Sequence, residues 1–95
     1  MREKNIEHDL VMKVKRTGGL ALKFVSPGFD GVPDRLVLLQ GGKMGFVEVK
    51  APGKHPRPLQ ESRHRLLRRL GFKVYVLDRT EQIEKIIQEI GGDVE

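Results

Sequence analysis

Apolar residues recur every three or four positions in the first part of the chain, which is the spacing of an amphipathic helix. The members of this stripe are Ile6, Leu10, Val11 and Val14. We expect the helix to cover about residues 5–17, with Asn5 as its cap and Gly18-Gly19 at its end. Glu7 belongs to the same stripe by spacing. A carboxylate there must pair with a cation, or lie at the stripe's edge near the positive start of the helix.

Three short apolar runs follow and predict strands at residues 20–25, 35–39 and 44–50. Gly41-Gly42 supplies the positive φ that a tight hairpin turn between the second and third strands requires. The run at residues 36–39 has no polar alternation, so we expect a central strand that is covered on both faces.

The second half of the chain predicts a helix, a strand and a last helix. Pro58 suits the first turn of a helix that runs to Leu70, and residues 72–77 read as a strand. The inward positions of the two helices are predicted to be Leu59, Leu66, Leu67 and Leu70, then Ile83, Ile86, Ile87 and Ile90. Gly91-Gly92 is expected to end the last helix, and the tail beyond it to fray.

These elements predict an α/β fold in the order helix, strand, strand, strand, helix, strand, helix. Two hairpin connections followed by a helical crossover give a four-stranded mixed sheet flanked by helices. The 95 residues should form one domain, residues 1–95. A chain this short has a modest core and can gain stability from dimerisation.

Composition excludes several classes of protein. No apolar run approaches the roughly 20 residues that span a bilayer, and the N-terminal residues lack the apolar segment of a signal peptide. Because the chain contains no cysteine, thiolate zinc sites are excluded and a cytoplasmic location is expected.

The charge distribution points to a polyanionic partner. Residues 50–73 hold eight basic residues and one acid, a net +7, whereas the remainder holds ten basic and twelve acidic residues, a net −2. Such a segment favours nucleic acid. The alternative is a solvated helix face, but opposite charges are normally interleaved on such a face. Within the segment we expect Lys54, Arg57 and Arg63 to contact DNA.

The predicted hairpin brings acids and a lysine together at one end. Counting back from the turn places Asp34 within a residue or two of directly opposite Glu48. Glu48 and Lys50 are two residues apart, so they project from one face of their strand. Two carboxylates and a backbone carbonyl, most simply that of Val49, suit Mg²⁺ or Mn²⁺. Lys50 could then orient or deprotonate an attacking water, or stabilise charge on a phosphoryl group.

Two further residues could support this site. Glu7, if inward, could bind a second ion, and Gln60 could hold a ligand water or a phosphate oxygen.

A simpler interpretation exists for each residue of the cluster. Taken singly, Asp34 could be an ordinary turn residue after proline. Glu48 and Lys50 could form a weak ion pair on an exposed edge strand. The joint pattern favours the metal site.

Pro33-Asp34, then thirteen residues, then Glu48-Val49-Lys50, resembles the PD-(D/E)xK nuclease motif. The fuller pattern is similar to the VRR-NUC domain, the virus-type replication-repair nuclease family, from about Glu7 to Leu77. It adds Glu7 in a first helix, residues 26–34, residues 46–53 and Pro58-Leu-Gln60.

The resemblance implies a restriction-endonuclease-like fold and metal-dependent DNA cleavage. Asp34 and Glu48 would be metal ligands and Lys50 the catalytic lysine, with Glu7 and Gln60 as supporting residues. Stand-alone viral and bacterial members are associated with homodimers that resolve four-way (Holliday) junctions. The resemblance therefore implies a homodimeric junction resolvase of DNA repair and recombination, in the cytoplasm of a cell or of a virus-infected host. It implies no membrane partner and no small-molecule cofactor.

Other functions remain open from the residues. A flap or duplex endonuclease, or one that acts on RNA, would use the same chemistry, and a non-catalytic DNA-binding module would use the same basic segment. The roles of His8, His55 and His64 are not assigned. A surface or phosphate-contacting side chain is the simpler interpretation for each.

Overall fold

The observed element order is the predicted one. A computed structural model of the protein describes residues 1–92. Its helices and strands are α1 (Glu3–Arg16), β1 (Leu20–Lys23), β2 (Arg35–Leu39), β3 (Lys43–Val49), α2 (Pro58–Arg69), β4 (Val74–Leu77) and α3 (Ile83–Gly91). Short 3-10 turns precede β3 and α3, at Gln40–Gly42 and Thr80–Gln82. The predicted fraying of the tail concerns residues 93–95, which lie outside the described residues.

The four strands form one mixed sheet in the order β1-β2-β3-β4. The first two pairings are antiparallel and β3 pairs with β4 in parallel. The α/β class and the four-stranded mixed sheet are thus confirmed. Gly41 and Gly42 have φ of 82° and 75°, as the hairpin prediction requires. α1 begins at Glu3, two residues before Asn5, so Asn5 is not its cap.

One face of the sheet builds the apolar core. Val37, Val47 and Leu77 are fully buried there beneath α1 and α3. The helices contribute Ile6, Leu10, Val14, Ile83, Ile86 and Ile90. Gly45 allows α3 to approach β3 closely, since a Cβ at this position would lie 2.7 Å from Cγ1 of Ile90.

The opposite face is only half covered, which corrects the prediction of a doubly covered central strand. β2 does lie inside the sheet, but Val37 alone is fully buried on it. α2 packs over the β3–β4 side, so the β1–β2 side of this face stays open. As a result Leu20 and Leu22 are 54% and 43% exposed.

The predicted leucine stripe of α2 is also wrong. Leu59 and Leu70 are 45% and 63% exposed, and the buried residues of this helix are Gln60 and His64. The reason is that the inner face of α2 covers the carboxylate of Glu48 rather than apolar side chains. Within residues 1–92, no helix has the length and apolar character needed to cross a bilayer.

Candidate active site

Glu48 is the most deeply buried charged side chain of the site, at 1% exposure. It lies on β3 and faces α2. The side-chain amide of Gln60 donates to Oε2 of Glu48 at 3.0 Å, and Nε2 of His64 lies 3.3 Å from Oε1. Nζ of Lys50 lies 3.9 Å from Oε2. Strand alternation thus places Glu48 and Lys50 on one face, where α2 supplies polar partners.

Asp34 lies at the end of the loop that leads into β2. The register pairs Arg35 with Val47, so Asp34 stands one position further, opposite Glu48. Its backbone carbonyl accepts a hydrogen bond from the N–H of Phe24 at 2.8 Å. Its Oδ2 accepts one from the backbone N–H of Val49, also at 2.8 Å. The first bond holds the backbone of Asp34 beside the residue that follows β1, and the second holds its side chain against the end of β3.

The electrostatics of Asp34 show that the two carboxylates interact. The pKa of Asp34 is raised to about 6. Burial is the largest cause, and the negative charges of Glu48 and Glu3 act in the same direction. The N–H of Val49 acts in the opposite direction. Two acids that disfavour each other's charge in a partly buried place are stabilised by a cation between them.

The donor set fits a hard divalent cation. Mg²⁺ and Mn²⁺ prefer oxygen ligands, and Mg²⁺ is commonly held by one or two carboxylates with several waters. Asp34 and Glu48 could provide the carboxylates. Val49 directly follows Glu48, and its N–H donates to Asp34, so its carbonyl could add a backbone oxygen. In the part of the chain that the structure describes, no three side chains of His, Asp or Glu cluster as a metal site. A site here would therefore complete its shell with backbone oxygen and water.

Glu7 has a partner other than the one that the sequence suggested. Its Oε2 lies 2.8 Å from Nε of Arg35, and the Glu7 side chain is 24% exposed. Nη1 of Arg35 also donates to the carbonyl of Ala21 at 3.0 Å. The half-buried acid of the α1 stripe is thus neutralised by a protein cation. The carboxylate of α1 that raises the pKa of Asp34 is that of Glu3, in the first turn of the helix.

Sequence reasoning missed His64, Arg35 and Glu3. His64 is 2% exposed, so the surface interpretation was wrong for it, whereas His8 and His55 are exposed as predicted. The signal for His64 was its position four residues after Gln60, since such pairs share one helix face. Arg35 and Glu3 left no such signal, because their partners are distant in sequence.

The basic segment is divided between exposed and structural side chains. Lys54 and Arg57 are exposed on the loop between β3 and α2. Arg63 is partly buried, because its Nε donates to the carbonyl of Asp30 at 2.7 Å and its guanidinium stacks 3.8 Å over the ring of Phe29. Arg63 therefore also holds the loop that delivers Asp34.

The raised pKa of Asp34 predicts a pH-dependent stability without divalent cations. Between its ordinary value of 3.8 and about 6, the folded state retains a proton that the unfolded chain has released. Stability should therefore fall as pH rises through this window. Asp34→Asn should remove that loss, which is about 1–2 kcal/mol after allowance for partial exposure.

Urea unfolding in EDTA at pH 4, 5 and 6.5 measures this effect. The advantage of Asp34→Asn over the wild type should grow with pH, while the surface control Glu84→Gln should follow the wild type. A difference that is constant over pH would contradict the assignment.

Relatives place this geometry in a class of enzymes. No protein-family model matches the chain. It is 56% identical over 78 residues to "Putative nuclease p44" of Acyrthosiphon pisum secondary endosymbiont phage 1, which covers 82% of this chain and 84% of that protein. This similarity places the chain in the class of nucleases.

A solved structure gives the family. The chain superposes on a VRR_NUC domain with a TM-score of 0.85 and 33% sequence identity, over 90% of this chain and 94% of the other. This chain belongs to the VRR-NUC family. The resemblance that the sequence motifs suggested is therefore confirmed, together with the fold that it implied.

Proposed function

We propose that this protein is a Mg²⁺- or Mn²⁺-dependent, structure-specific DNA endonuclease that resolves four-way junctions as a homodimer. Residues 1–95 would act as a single nuclease domain in DNA repair and recombination, in the cytoplasm of a cell or of an infected host. The observation that carries the proposal is the meeting of Asp34 and Glu48 opposite each other, with Lys50 beside Glu48. The similarity to a phage nuclease supports it.

Asp34, Glu48 and the carbonyl of Val49 are the groups that would hold the cation. When bound, such an ion supplies Lewis-acid stabilisation of the negative charge that grows on the phosphate. Glu48 is suited to this position because Gln60 fixes one of its oxygens at 3.0 Å. Glu7 contributes through Arg35, whose backbone directly follows Asp34.

Lys50 is the residue that acts on the substrate. The Lys50 side chain is 16% exposed and its Nζ lies 3.9 Å from Oε2 of Glu48, so it could reach a phosphate oxygen or an attacking water. There it stabilises developing negative charge, or it takes up and returns the proton of the water.

The DNA path runs from this site along the exposed part of the basic segment. Lys54 and Arg57 lie on the loop between β3 and α2, and the loop is tied down by a 3.2 Å hydrogen bond from the N–H of Gly53 to Asp78. Arg63 would add its remaining N–H groups from α2, where its Nε already binds the carbonyl of Asp30 in the loop before Asp34. These contacts would be with phosphates, since the segment offers charge rather than a base-reading insertion.

Arg57→Ala should weaken junction binding and lower the salt slope by about 1, because one phosphate contact is lost. The backbone N–H of Arg57, which donates to Oε1 of Gln60 at 2.8 Å, is unaffected by this change. Binding is measured by fluorescence anisotropy at several salt concentrations, on the Glu48→Gln background to prevent cleavage. The control Arg16→Ala, on α1, should keep the parental slope. An unchanged slope for Arg57→Ala would remove this residue from the DNA path.

The open half of the sheet offers a surface for a second copy. The register aligns Leu20 with Leu38 in one row, and Leu22 with Leu36 in the next. Leu20 and Leu22 are exposed, whereas Phe46, which continues the second row on β3, is buried. No charged side chain interrupts these two rows. Contiguous exposed apolar surface of this kind marks an interaction site. A two-fold dimer through this face would carry two active sites, as symmetric cuts in two strands require.

Leu22→Glu should convert the dimer to a monomer and abolish paired junction cuts. A buried, unpaired carboxylate at a dimer interface is strongly unfavourable. Light scattering measures the molar mass of the variant with and without a junction. Met12→Glu is the matched control, because Met12 is 40% exposed but lies on α1. A dimeric Leu22→Glu would place the interface elsewhere.

A cleavage panel tests the proposed function directly. A four-way junction, a flap and a plain duplex are incubated side by side with Mg²⁺ or Mn²⁺, and paired symmetric cuts in the junction are expected. Equal cutting of the duplex would remove junction specificity. No cutting of any DNA, with binding that Glu48→Gln leaves intact, would instead indicate a DNA-binding module.

A further inference from the structure

The inner face of α2 is polar where an apolar stripe would be expected. Its two buried residues are Gln60 and His64, which are four apart and therefore share one helix face. Their side chains end on different oxygens of the same carboxylate. Gln60 reaches Oε2 of Glu48 at 3.0 Å, and Nε2 of His64 lies 3.3 Å from Oε1.

The hydrogen-bond chemistry of this contact decides which nitrogen of the His64 ring carries the proton. An ionised carboxylate only accepts hydrogen bonds, so a hydrogen bond in this contact requires the proton to be on Nε2 of His64. The His64 side chain is 3% exposed and that of Glu48 is 1% exposed, so water does not offer an equivalent partner to either group. Two side chains of α2 thus contact both oxygens of Glu48.

We propose that His64 is a positioning residue that sets the orientation of Glu48 toward Asp34. The inference rests on the proposed function, in which Glu48 is a metal ligand. Each carboxylate oxygen has two lone pairs. With one lone pair of each oxygen taken by α2, the others remain for a cation on the side of Asp34. Groups that orient ligands in this way typically change metal affinity by about 10–100-fold when they are removed.

A merely structural role for His64 makes a different prediction. If the ring only fills the space beneath α2, an apolar side chain of similar size should preserve metal binding. If the N–H of the ring orients Glu48, that substitution should weaken metal binding, whereas a side chain that still donates should preserve much of it.

Calorimetry with Mn²⁺ separates these possibilities without relying on cleavage. The variants are His64→Leu, which keeps volume but not the donor, and His64→Gln, which keeps a donor. We expect a 10–100-fold higher Kd for His64→Leu and a smaller increase for His64→Gln. The control His8→Leu, on the exposed surface of α1, should bind as the wild type does. An unchanged Kd in a folded His64→Leu would overturn the inference.

A measurement on the wild-type protein covers the case in which His64→Leu does not fold. Nitrogen-15 NMR of the imidazole should show the Nε2–H form at neutral pH and a change in its shifts on addition of Mg²⁺. The Nδ1–H form would overturn the inference. If the wild type itself takes up no Mn²⁺ that depends on Asp34 and Glu48, the proposed function fails, and the role of His64 fails with it. Normal uptake with an unaffected His64→Leu refutes the role of His64 alone.

Discussion

Replacing Glu48 with glutamine should lower the rate of DNA cleavage by at least about 10³-fold, which corresponds to about 4 kcal/mol of transition-state stabilisation. The variant keeps the size of the side chain and offers its carbonyl oxygen to the amide of Gln60. Its NH2 group then faces Nε2 of His64, which accepts a hydrogen bond when the ring carries its proton on Nδ1, so the fold should persist. What is lost is the negative charge opposite Asp34. Single-turnover cleavage of a junction measures the rate, and thermal melting followed by circular dichroism measures the stability.

Because the lost charge is a buried one beside a second carboxylate, the metal-free protein should not lose stability. Relief of the repulsion between Glu48 and Asp34 should leave its melting temperature equal to or above that of the wild type. Glu84→Gln removes a carboxylate from the exposed surface of α3 and should cleave normally. Cleavage by Glu48→Gln within tenfold of the wild type would refute the assignment of Glu48.

Replacing Lys50 with methionine should lower the rate of cleavage by about 10²–10⁴-fold, the usual contribution of a group that transfers a proton. Methionine keeps the apolar stem of the side chain, which is 16% exposed beside Glu48. Metal affinity should be equal or higher, because a positive charge next to the cation site has been removed. Single-turnover rates and Mn²⁺ calorimetry measure the two quantities separately.

The separation of rate from metal affinity decides the role of Lys50. Lys85→Met is the matched control, since the Lys85 side chain is 80% exposed and its ion pair with Glu89 spans 3.9 Å. Such an exposed pair contributes little to stability. If Lys50→Met weakened metal binding and cleavage in parallel, Lys50 would act through the cation rather than on the substrate.

The hairpin that carries the acids could be predicted from sequence because its signals are local. Alternation with a period of two separates Val47 and Val49 from Glu48 and Lys50, whatever lies beyond the strand. The Gly41-Gly42 turn then fixes the register to within a residue or two. Prediction of the juxtaposition of the two acids needed no information about distant parts of the chain.

The surroundings of the hairpin could not be predicted in the same way. Helical spacing shows that Leu59 and Leu70 share one side of α2, but not which side meets the sheet. The side of α2 that meets the sheet is determined by Glu48, because a buried carboxylate requires polar partners. Likewise, Glu7 and Arg35 are 28 residues apart, and their pairing becomes visible only when α1 lies against the sheet.

The bond between Asp34 and Val49 has a consequence for the local dynamics of the protein. At the end of β3, the amide of Val49 is held by a side chain rather than by a neighbouring strand. Hydrogen exchange at this one amide therefore reports directly on whether the Asp34 carboxylate is in place. Each local opening of this end of β3 would also separate the groups proposed to hold the cation, so cation binding and closure of this end would be thermodynamically linked.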